Sequence, residues 1–447
     1  MKKMTEGNVA KNIFFFAIPI FLGNIFQQMY NAADAVIVGK FSGKEALAAV
    51  GTAGPIMNIL IFFIIGFSLG SAILMAEFYG SGDIEKLKKE IATTIKAGII
   101  FIFLLSIIAL FSAKYILILM KTPPEIMKMA EDYLQIIIAG LVFSFLYNIL
   151  SAEMRAIGDS KTPLIILIIS VILNIGLDIY FIKELKLGVK GAAYATVISQ
   201  IAAVIISILD IYYKMPVLRL KVREFTIDLI LLKKTMSYSL SYAIQQTVIF
   251  TGAVFVQGAV NPLGIDSIAA FNSGCRIDGF ILTPGDSMGA ALTTFISQNR
   301  GAGKNERIFQ GFKSALTMSL LYCVITAIFI FIFSESIMKI FIDSSEIKTI
   351  FLGKMYLRTI AFFYILTAIC NTLQGFFRGL GRMDVTLAAT FIQIPIRIIL
   401  SYILTRYMGI SGVAVGMGIG WIFMAVYETY LYMGYRSKRR EINGVHI

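Results

Sequence analysis

Apolar stretches long enough to cross a lipid bilayer recur along the whole sequence and are separated by short polar segments. A transmembrane helix needs about 20 residues to cross the hydrocarbon core. A membrane barrel would show shorter, alternating segments, whereas residues 164–181 are apolar on nearly every side. The pattern therefore predicts an all-α polytopic membrane protein. Its predicted spans are residues 13–38, 47–79, 91–113, 132–154, 163–182, 188–212, 230–257, 267–299, 311–334, 353–378, 384–407 and 410–434.

Composition supports the membrane interpretation. Hydrophobic residues make up 57% of the 447 residues and charged residues 15%, against roughly 25% charged in soluble domains. The net charge of +13 alone would suit a nucleic-acid partner, but the Lys and Arg residues lie in short loops and in the C-terminal tail. More of them fall on the side that carries both termini. We therefore expect both termini in the cytoplasm, a multi-pass protein of the bacterial inner (plasma) membrane, and no nucleic-acid partner.

The second half of the sequence repeats the first at a nearly constant spacing. The matching segments are 27–28 with 245–246, 80–82 with 301–303, and 150–164 with 373–387. Six spans in each half predict two homologous six-helix bundles in the same membrane orientation, an arrangement typical of transporters. The predicted domains are residues 1–212 and 229–447, and the basic, proline-containing segment 213–228 is the cytoplasmic linker.

Three aligned positions differ in chemistry between the halves. They are Asp34 against Gly252, Asn174 against Arg397, and Asp178 against Ser401. A carboxylate near the bilayer centre costs at least about 2.5 kcal/mol, so it should face the bundle interior and have a partner or a function. We therefore expect the membrane-buried acids to belong to the first half.

Polar side chains near these acids follow helical spacing. The stripe on the first predicted helix consists of Gln27, Asn31 and Asp34, with Tyr30 beside it. Asn174 and Asp178 stand one turn apart on the fifth. Two facing carboxylates with amide neighbours can hold one Na⁺ through oxygen ligands, or share a proton, and either arrangement would couple an ion to transport. The alternative is that both acids are structural and bond to neighbouring helices.

Several short runs are typical of one transporter family. They are residues 19–34 of the first helix, LAAVG at 47–51, the run with Arg155, Gly158 and Pro163, Asn174 with Asp178, GAAYATVISQ at 191–200, and QNRGAG at 298–303. With these runs the sequence resembles the multidrug and toxic compound extrusion (MATE) family over essentially its whole length.

The resemblance implies a V-shaped pair of bundles that exchanges Na⁺ or H⁺ for small organic, often cationic, compounds. It implies a cation-coupling site, with Na⁺ as its possible metal ion, formed by Asp34, Asn174, Asp178 and Thr196. We assign to the substrate cavity Gln27, Tyr30, Asn31, Asn148 and Asp286. Pro19 interrupts the hydrogen-bond ladder of the first helix and is the predicted hinge.

Other polar residues leave alternatives open. Arg276 and Asp278 form interhelical ion pairs or line the cavity, and Asp286 has the same two possible roles. The three cysteines, Cys275, Cys323 and Cys370, lie in apolar segments and are expected to be packing residues. His446, the only histidine, lies in the polar tail, so coupling should depend on carboxylates.

The sequence also argues against other classes of protein. It has no GxxxxGK[ST] phosphate-binding loop and no recognisable nucleophile with a base, so we expect neither ATP-driven transport nor an enzyme. A flippase for lipid-linked saccharides is the main alternative, but its phosphates would require several cavity Arg or Lys residues. A membrane enzyme or receptor fits the repeat less well. The prediction is a secondary antiporter that functions as a monomer and needs no cofactor beyond its coupling ion.

Overall fold

The computed structural model describes residues 3–442, so His446 lies outside the described residues. Within this range the regular structure is helical, with a π-helical turn at Ile179–Glu184 and three short 3₁₀ turns. The helices are α1 (Val9–Ser81), α2 (Ile84–Leu119), α3 (Pro124–Ala139), α4 (Leu141–Ala156), α5 (Lys161–Asp178), α6 (Val189–Lys214), α7 (Leu229–Val260), α8 (Ile265–Gly301), α9 (Asn305–Phe341), α10 (Ile347–Ala361), α11 (Tyr364–Gly379), α12 (Met383–Met408) and α13 (Ile410–Ile442).

Helix α1 supplies two of the predicted spans. Its 73 residues correspond to about 110 Å of helix, which far exceeds a bilayer core of about 30 Å. The helix is broken at Gly43, where φ is 88° and ψ is 177°. A side chain strongly disfavours this conformation, so glycine makes the break possible. Gly43 lies between the predicted spans 13–38 and 47–79.

The described helices account for the predicted number of crossings. Eight are long and apolar enough to span a membrane, and ten spans result if the bent pairs α3 with α4 (46°) and α10 with α11 (51°) each count as one. Counting α1 twice and including the 37-residue α8 raises the ten to about twelve, which confirms the predicted fold class. Helix α8 is less apolar because it carries charged residues in its middle.

Large apolar side chains cover the outside of several helices. Phe111 on α2 is 78% exposed and Leu321 on α9 is 62% exposed. A soluble monomer rarely exposes so many large apolar groups in continuous surfaces. These faces are suited to contact with lipid.

The described chain forms two compact units. The first contains Ile18–Ala243 and Arg300–Gly303, and the second contains Gly7–Ala17, Ile244–Asn299 and the chain from Lys304 onward. Three of the boundaries therefore fall inside helices, in α1 after Ala17, in α7 after Ala243 and in α8 after Asn299. The predicted domain limits at the linker stay a prediction. In that linker, Glu224 accepts hydrogen bonds from the Lys221 backbone N–H (2.7 Å) and from Lys88 Nζ (3.1 Å). These two groups hold the pKa of Glu224 below its ordinary value.

The core of the first unit depends on close contact between α2 and α4. Phe145 on α4 is fully buried and packs edge to face against Phe67, with ring centroids 5.6 Å apart. Gly98 on α2 lies under the Phe145 ring, and a Cβ atom there would meet Phe145 Cζ at 2.0 Å. A residue larger than glycine would therefore push the two helices apart.

Replacing Gly98 with alanine is expected to destabilise the protein by about 1–3 kcal/mol because the added methyl group overpacks this contact. The measurement is thermal unfolding of the purified protein in detergent. Gly51→Ala in α1 is the matched control, since a Cβ at Gly51 has no neighbour within 4 Å. Equal melting temperatures for the two variants would contradict this account of the core.

The core of the second unit is aromatic. Phe312 and Tyr432 stack with ring centroids 4.4 Å apart, and Phe376 packs edge to face against both rings. Tyr356 and Tyr364, on the bent pair α10 and α11, are fully buried. A buried tyrosine hydroxyl needs a hydrogen-bond partner, and both of these hydroxyls bond to the same carboxylate on α8.

Candidate cation-coupling site

Helices α1 and α5 of the first unit position the two acids that the sequence singled out. Asp34 lies on the polar stripe of α1 and is partly buried, whereas Asn174 and Asp178 on α5 are 1% and 0% exposed. Asp178 is the last residue of α5, and the π-helical turn follows it directly. Such turns often occur at functional sites, because the widened turn changes the direction of the side chains beside it.

The carboxyl groups of Asp34 and Asp178 lie within hydrogen-bonding reach of each other. Two ionised carboxylates cannot hydrogen-bond, because neither has a donor. The pair can remain this close only with a shared proton or with a cation between the two groups. The geometry therefore suits either of the two coupling ions that the sequence allowed.

Neutral groups on α5, α6 and α1 connect to this pair. Asn174 Nδ2 donates to Asp178 Oδ2 (2.9 Å) and Asn174 Oδ1 accepts from the Thr196 backbone N–H (3.2 Å), with the amide oriented by these partners. The Thr196 hydroxyl is 3.1 Å from the Tyr30 hydroxyl. The structure thus brings together Asp34, Asn174, Asp178 and Thr196, with Tyr30 at the edge.

The available oxygens fit a small hard cation. Asp34 Oδ1 and Asp178 Oδ1 are shielded from solvent and have no hydrogen-bond partner among the described residues. Two carboxylates with amide and hydroxyl oxygens nearby form an all-oxygen ligand set. Across residues 3–442, no group of three or more His, Cys, Asp or Glu side chains could hold a metal ion. Hard oxygen ligands of this kind are the type that Na⁺ prefers, and a pair of carboxyl groups can also share a proton.

The predicted cavity residues are distributed over both units. In the first unit Gln27 and Asn31 are exposed on α1, and Asn148 Nδ2 donates to Ser144 O of its own helix (2.8 Å). No described hydrogen bond joins Asn148 to the acid pair. In the second unit Asp286 is exposed and accepts a hydrogen bond from Asn371 Nδ2 (2.9 Å).

Pro19, the predicted hinge, is buried inside α1. It lies two residues after Ala17, where α1 passes from the second compact unit into the first. The change of packing occurs close to the backbone hydrogen bond that Pro19 removes. Helices often bend at such positions.

Asp278 has a structural environment in the second unit. It is 6% exposed, and it accepts hydrogen bonds from Tyr356 OH at Oδ2 (2.8 Å) and from Tyr364 OH at Oδ1 (2.6 Å). Arg276, two residues earlier on α8, is exposed. Asp278 is thus bonded to neighbouring helices through two tyrosines, and Arg397 on α12 is near enough to interact with its charge.

The expectation that membrane-buried acids belong to the first half is wrong. Asp278 and Glu428 are buried in the second unit, and Glu428 on α13 is 0% exposed. Glu428 Oε1 accepts from Gln374 Nε2 (3.1 Å), and Gln374 Oε1 accepts from Gln245 Nε2 (2.9 Å). Sequence reasoning missed Glu428 because it stands near the polar end of α13, where a glutamate is expected to reach the interface.

Three further polar side chains of the first unit lie outside the stripes that the sequence singled out. Glu153 is 2% exposed, and Glu90 is 0% exposed and accepts from Thr235 Oγ1 (2.6 Å). Tyr133 on α3 lies close enough to Asp34 and Asp178 to interact with both electrostatically. No local signal in the sequence distinguishes Tyr133 from the other tyrosines, of which there are 20 in all. Its counterpart in the second half, Tyr356, also lies beside an acid, Asp278.

Comparisons with known proteins identify the family. The MatE family model matches residues 19–180 and 238–403, one stretch in each sequence half. The probable multidrug resistance protein YpnP of Bacillus subtilis (strain 168) is 30% identical over 440 residues, which is 96% of each chain. The probable multidrug resistance protein NorM of Thermotoga maritima is 25% identical over 448 residues, covering 97% of this chain and 94% of its own.

Solved structures agree on the fold. A crystal structure of MATE in the bent conformation superposes with a TM-score of 0.92 at 24% identity, covering 99% of this chain and 98% of the other. An outward-facing multidrug resistance MATE transporter of the MOP superfamily gives a TM-score of 0.89 at 24% identity over 97% of both chains. The chain therefore belongs to the MATE family of multidrug transporters, which are multi-pass membrane proteins and not enzymes.

Proposed function

We propose that this MATE transporter is a secondary antiporter that exports small organic, often cationic, compounds in exchange for Na⁺ or H⁺. The coupling ion binds between Asp34 and Asp178 in the first unit. The observation that supports the proposal most strongly is the contact between these two carboxyl groups, each with one shielded oxygen lacking a described partner.

Repulsion between the two carboxylates makes the stability of the α1–α5 contact depend on whether an ion is bound. Two like charges about 4 Å apart repel by roughly 4 kcal/mol at an effective dielectric constant of about 20. A proton or Na⁺ removes that repulsion, and its loss restores it. The presence of the ion therefore changes the free energy of any state in which α1 and α5 stay close together.

The structure of α1 provides a way to convert this energy into movement. Without the ion, repulsion favours a state in which the segment of α1 with Asp34 moves away from Asp178. Pro19 permits such a movement because proline has no backbone N–H to donate. Bending the helix there therefore breaks no hydrogen bond at that residue. The polar stripe with Gln27 and Asn31 moves with Asp34, so ion binding changes the surface offered to the transported compound.

The orientation in the membrane is part of the proposal. Both termini lie in the cytoplasm of a bacterial cell, the protein functions as a monomer, and the first unit releases its ion to the cytoplasmic side. The basic loops support this orientation, because short loops rich in Lys and Arg stay on the cytoplasmic side.

The test is dye efflux from liposomes that contain the purified protein, with Na⁺ and H⁺ gradients imposed separately. We expect a cationic dye to be transported against its gradient when at least one ion gradient is present, and not when both are absent. Transport that persists without either gradient would contradict antiport. A gradient-independent exchange of lipid-linked saccharides between leaflets would favour the flippase alternative.

A further inference from the structure

The second unit presents a positive charge where the first presents its acid pair. Arg397 on α12 aligns with Asn174, and the spacing that relates these two residues also relates Tyr356 to Tyr133. In the first unit, Tyr133 lies near the acids, and in the second, Tyr356 lies near Arg397. The corresponding regions of the two units therefore have opposite polarity.

The second unit has no room for the missing acid. Gly252 stands at the position of Asp34, and a Cβ atom there would meet Ile394 Cγ2 at 2.6 Å. Ser401 replaces Asp178, and its hydroxyl is buried without a hydrogen-bond partner among the described residues. Nothing at these two positions can neutralise Arg397.

The guanidinium of Arg397 has one N–H donor that the fold leaves unsatisfied. Its Nε is shielded from solvent and has no hydrogen-bond partner in residues 3–442. Asp278 is near enough to act on it electrostatically, but the described hydrogen bonds of Asp278 come from Tyr356 and Tyr364. A charged arginine in the middle of a membrane helix is costly, and such residues mark binding sites or transport pathways.

The surface beside Arg397 is polar and accessible. Cys275 on α8 is exposed and within electrostatic range of both Asp278 and Arg397. Asn272, Gly279 and Asp286 are also exposed, and helical spacing places them on the same face of α8 as Cys275. The opposite face, with Ile277, Phe280 and Ile281, lines an apolar groove of about 370 Å³. The face with Cys275 is therefore the one suited to water and polar ligands.

We propose that Arg397 forms an anion subsite that binds the carboxylate of carboxylate-bearing amphiphilic substrates. The proposal rests on the proposed export function and adds a substrate class to it. A guanidinium binds a carboxylate through two parallel N–H···O hydrogen bonds, a geometry that neither Asn174 nor a lysine offers. Exposed Asp286, farther along the same face of α8, can attract a positive group on the same molecule.

The test uses rhodamine B, a zwitterion with a free carboxylate, and its ethyl ester, which has the same ring system without that charge. Fluorescence anisotropy gives the dissociation constant of each dye for the purified transporter. In Arg397→Gln we expect the ratio of the rhodamine B constant to the ester constant to rise about tenfold or more. Arg397→Lys should give a smaller rise, and Arg406→Gln, at an exposed arginine of the same helix, should give none.

An unchanged ratio of the two dissociation constants in Arg397→Gln would overturn the subsite. This holds whether the variant weakens the binding of both dyes equally or of neither. If wild type neither binds nor exports either dye, the proposed function fails as well. Wild type that exports the ester normally, together with an unchanged ratio in the variant, would refute only the subsite.

A second measurement needs no Arg397 variant. Cys275 is exposed while Cys323 and Cys370 are buried, so labelling by small methanethiosulfonates should be confined to Cys275, with Cys275→Ser as the blank. In wild type, we expect rhodamine B to slow this labelling more than its ester does, because only rhodamine B carries the carboxylate that binds Arg397. Equal protection by both dyes would overturn the proposal.

Discussion

Asp178→Asn is expected to reduce gradient-driven efflux to the level of protein-free liposomes while the protein remains folded and inserted. Asparagine keeps the shape of the side chain, and it can still bond to Asn174, which lies 2.9 Å from Asp178 Oδ2. It removes the charge that binds a proton or Na⁺, so the remaining Asp34 has no carboxyl partner. The measurement is dye efflux under combined Na⁺ and H⁺ gradients, with thermal unfolding as the check on folding.

Asp132→Asn is the matched control for this substitution. Asp132 lies in the same unit, next to Tyr133, but its carboxylate pairs with Lys128 of α3 (2.9 Å) and with Lys190 at the start of α6 (3.2 Å). Its loss should leave coupled efflux intact. Asp34→Asn should behave like Asp178→Asn, and Gly252→Asp should not restore it, because Ile394 occupies the required space. Full efflux by folded Asp178→Asn would refute the assigned coupling site.

The sequence predicted the fold because lipid imposes a simple requirement on each crossing helix. About 20 apolar residues are needed wherever the chain crosses, and that pattern is local. The bends of α3 with α4 and of α10 with α11 were not predicted, since a bend changes neither length nor composition. The passage of α1 and α7 between compact units also escaped prediction, because it depends on which distant segments pack together.

The candidate site was predictable only where its residues share a helix or differ between the repeats. Asp34 and Asp178 stood out for both reasons, and the structure places their carboxyl groups together. Tyr133 and Glu428 belong to no stripe, and their partners come from other helices. Such contacts arise from packing between helices, which a single sequence does not encode in any local pattern.

The affinity for a transported dye is expected to fall as Na⁺ or H⁺ is added, if either ion binds between Asp34 and Asp178. Ion binding removes the repulsion between the carboxylates and stabilises the state in which α1 packs against α5. Dye binding must favour the other state if the ion is to drive export. Thermodynamic reciprocity then requires bound dye to weaken ion binding by the same factor, for which allosteric coupling typically gives about 5–150-fold.

The measurement is the dissociation constant of a cationic dye for purified protein in a Na⁺ series at fixed pH and in a pH series without Na⁺. Choline replaces Na⁺ at constant ionic strength, so that screening of surface charge does not imitate competition. In wild type, we expect the constant to rise with the coupling ion and to stay flat with the other ion. In Asp178→Asn it should be flat in both series, because a single carboxylate experiences no repulsion that the ion can relieve. A wild-type constant that is flat in both series while efflux remains coupled would show that ion and dye do not compete through this site.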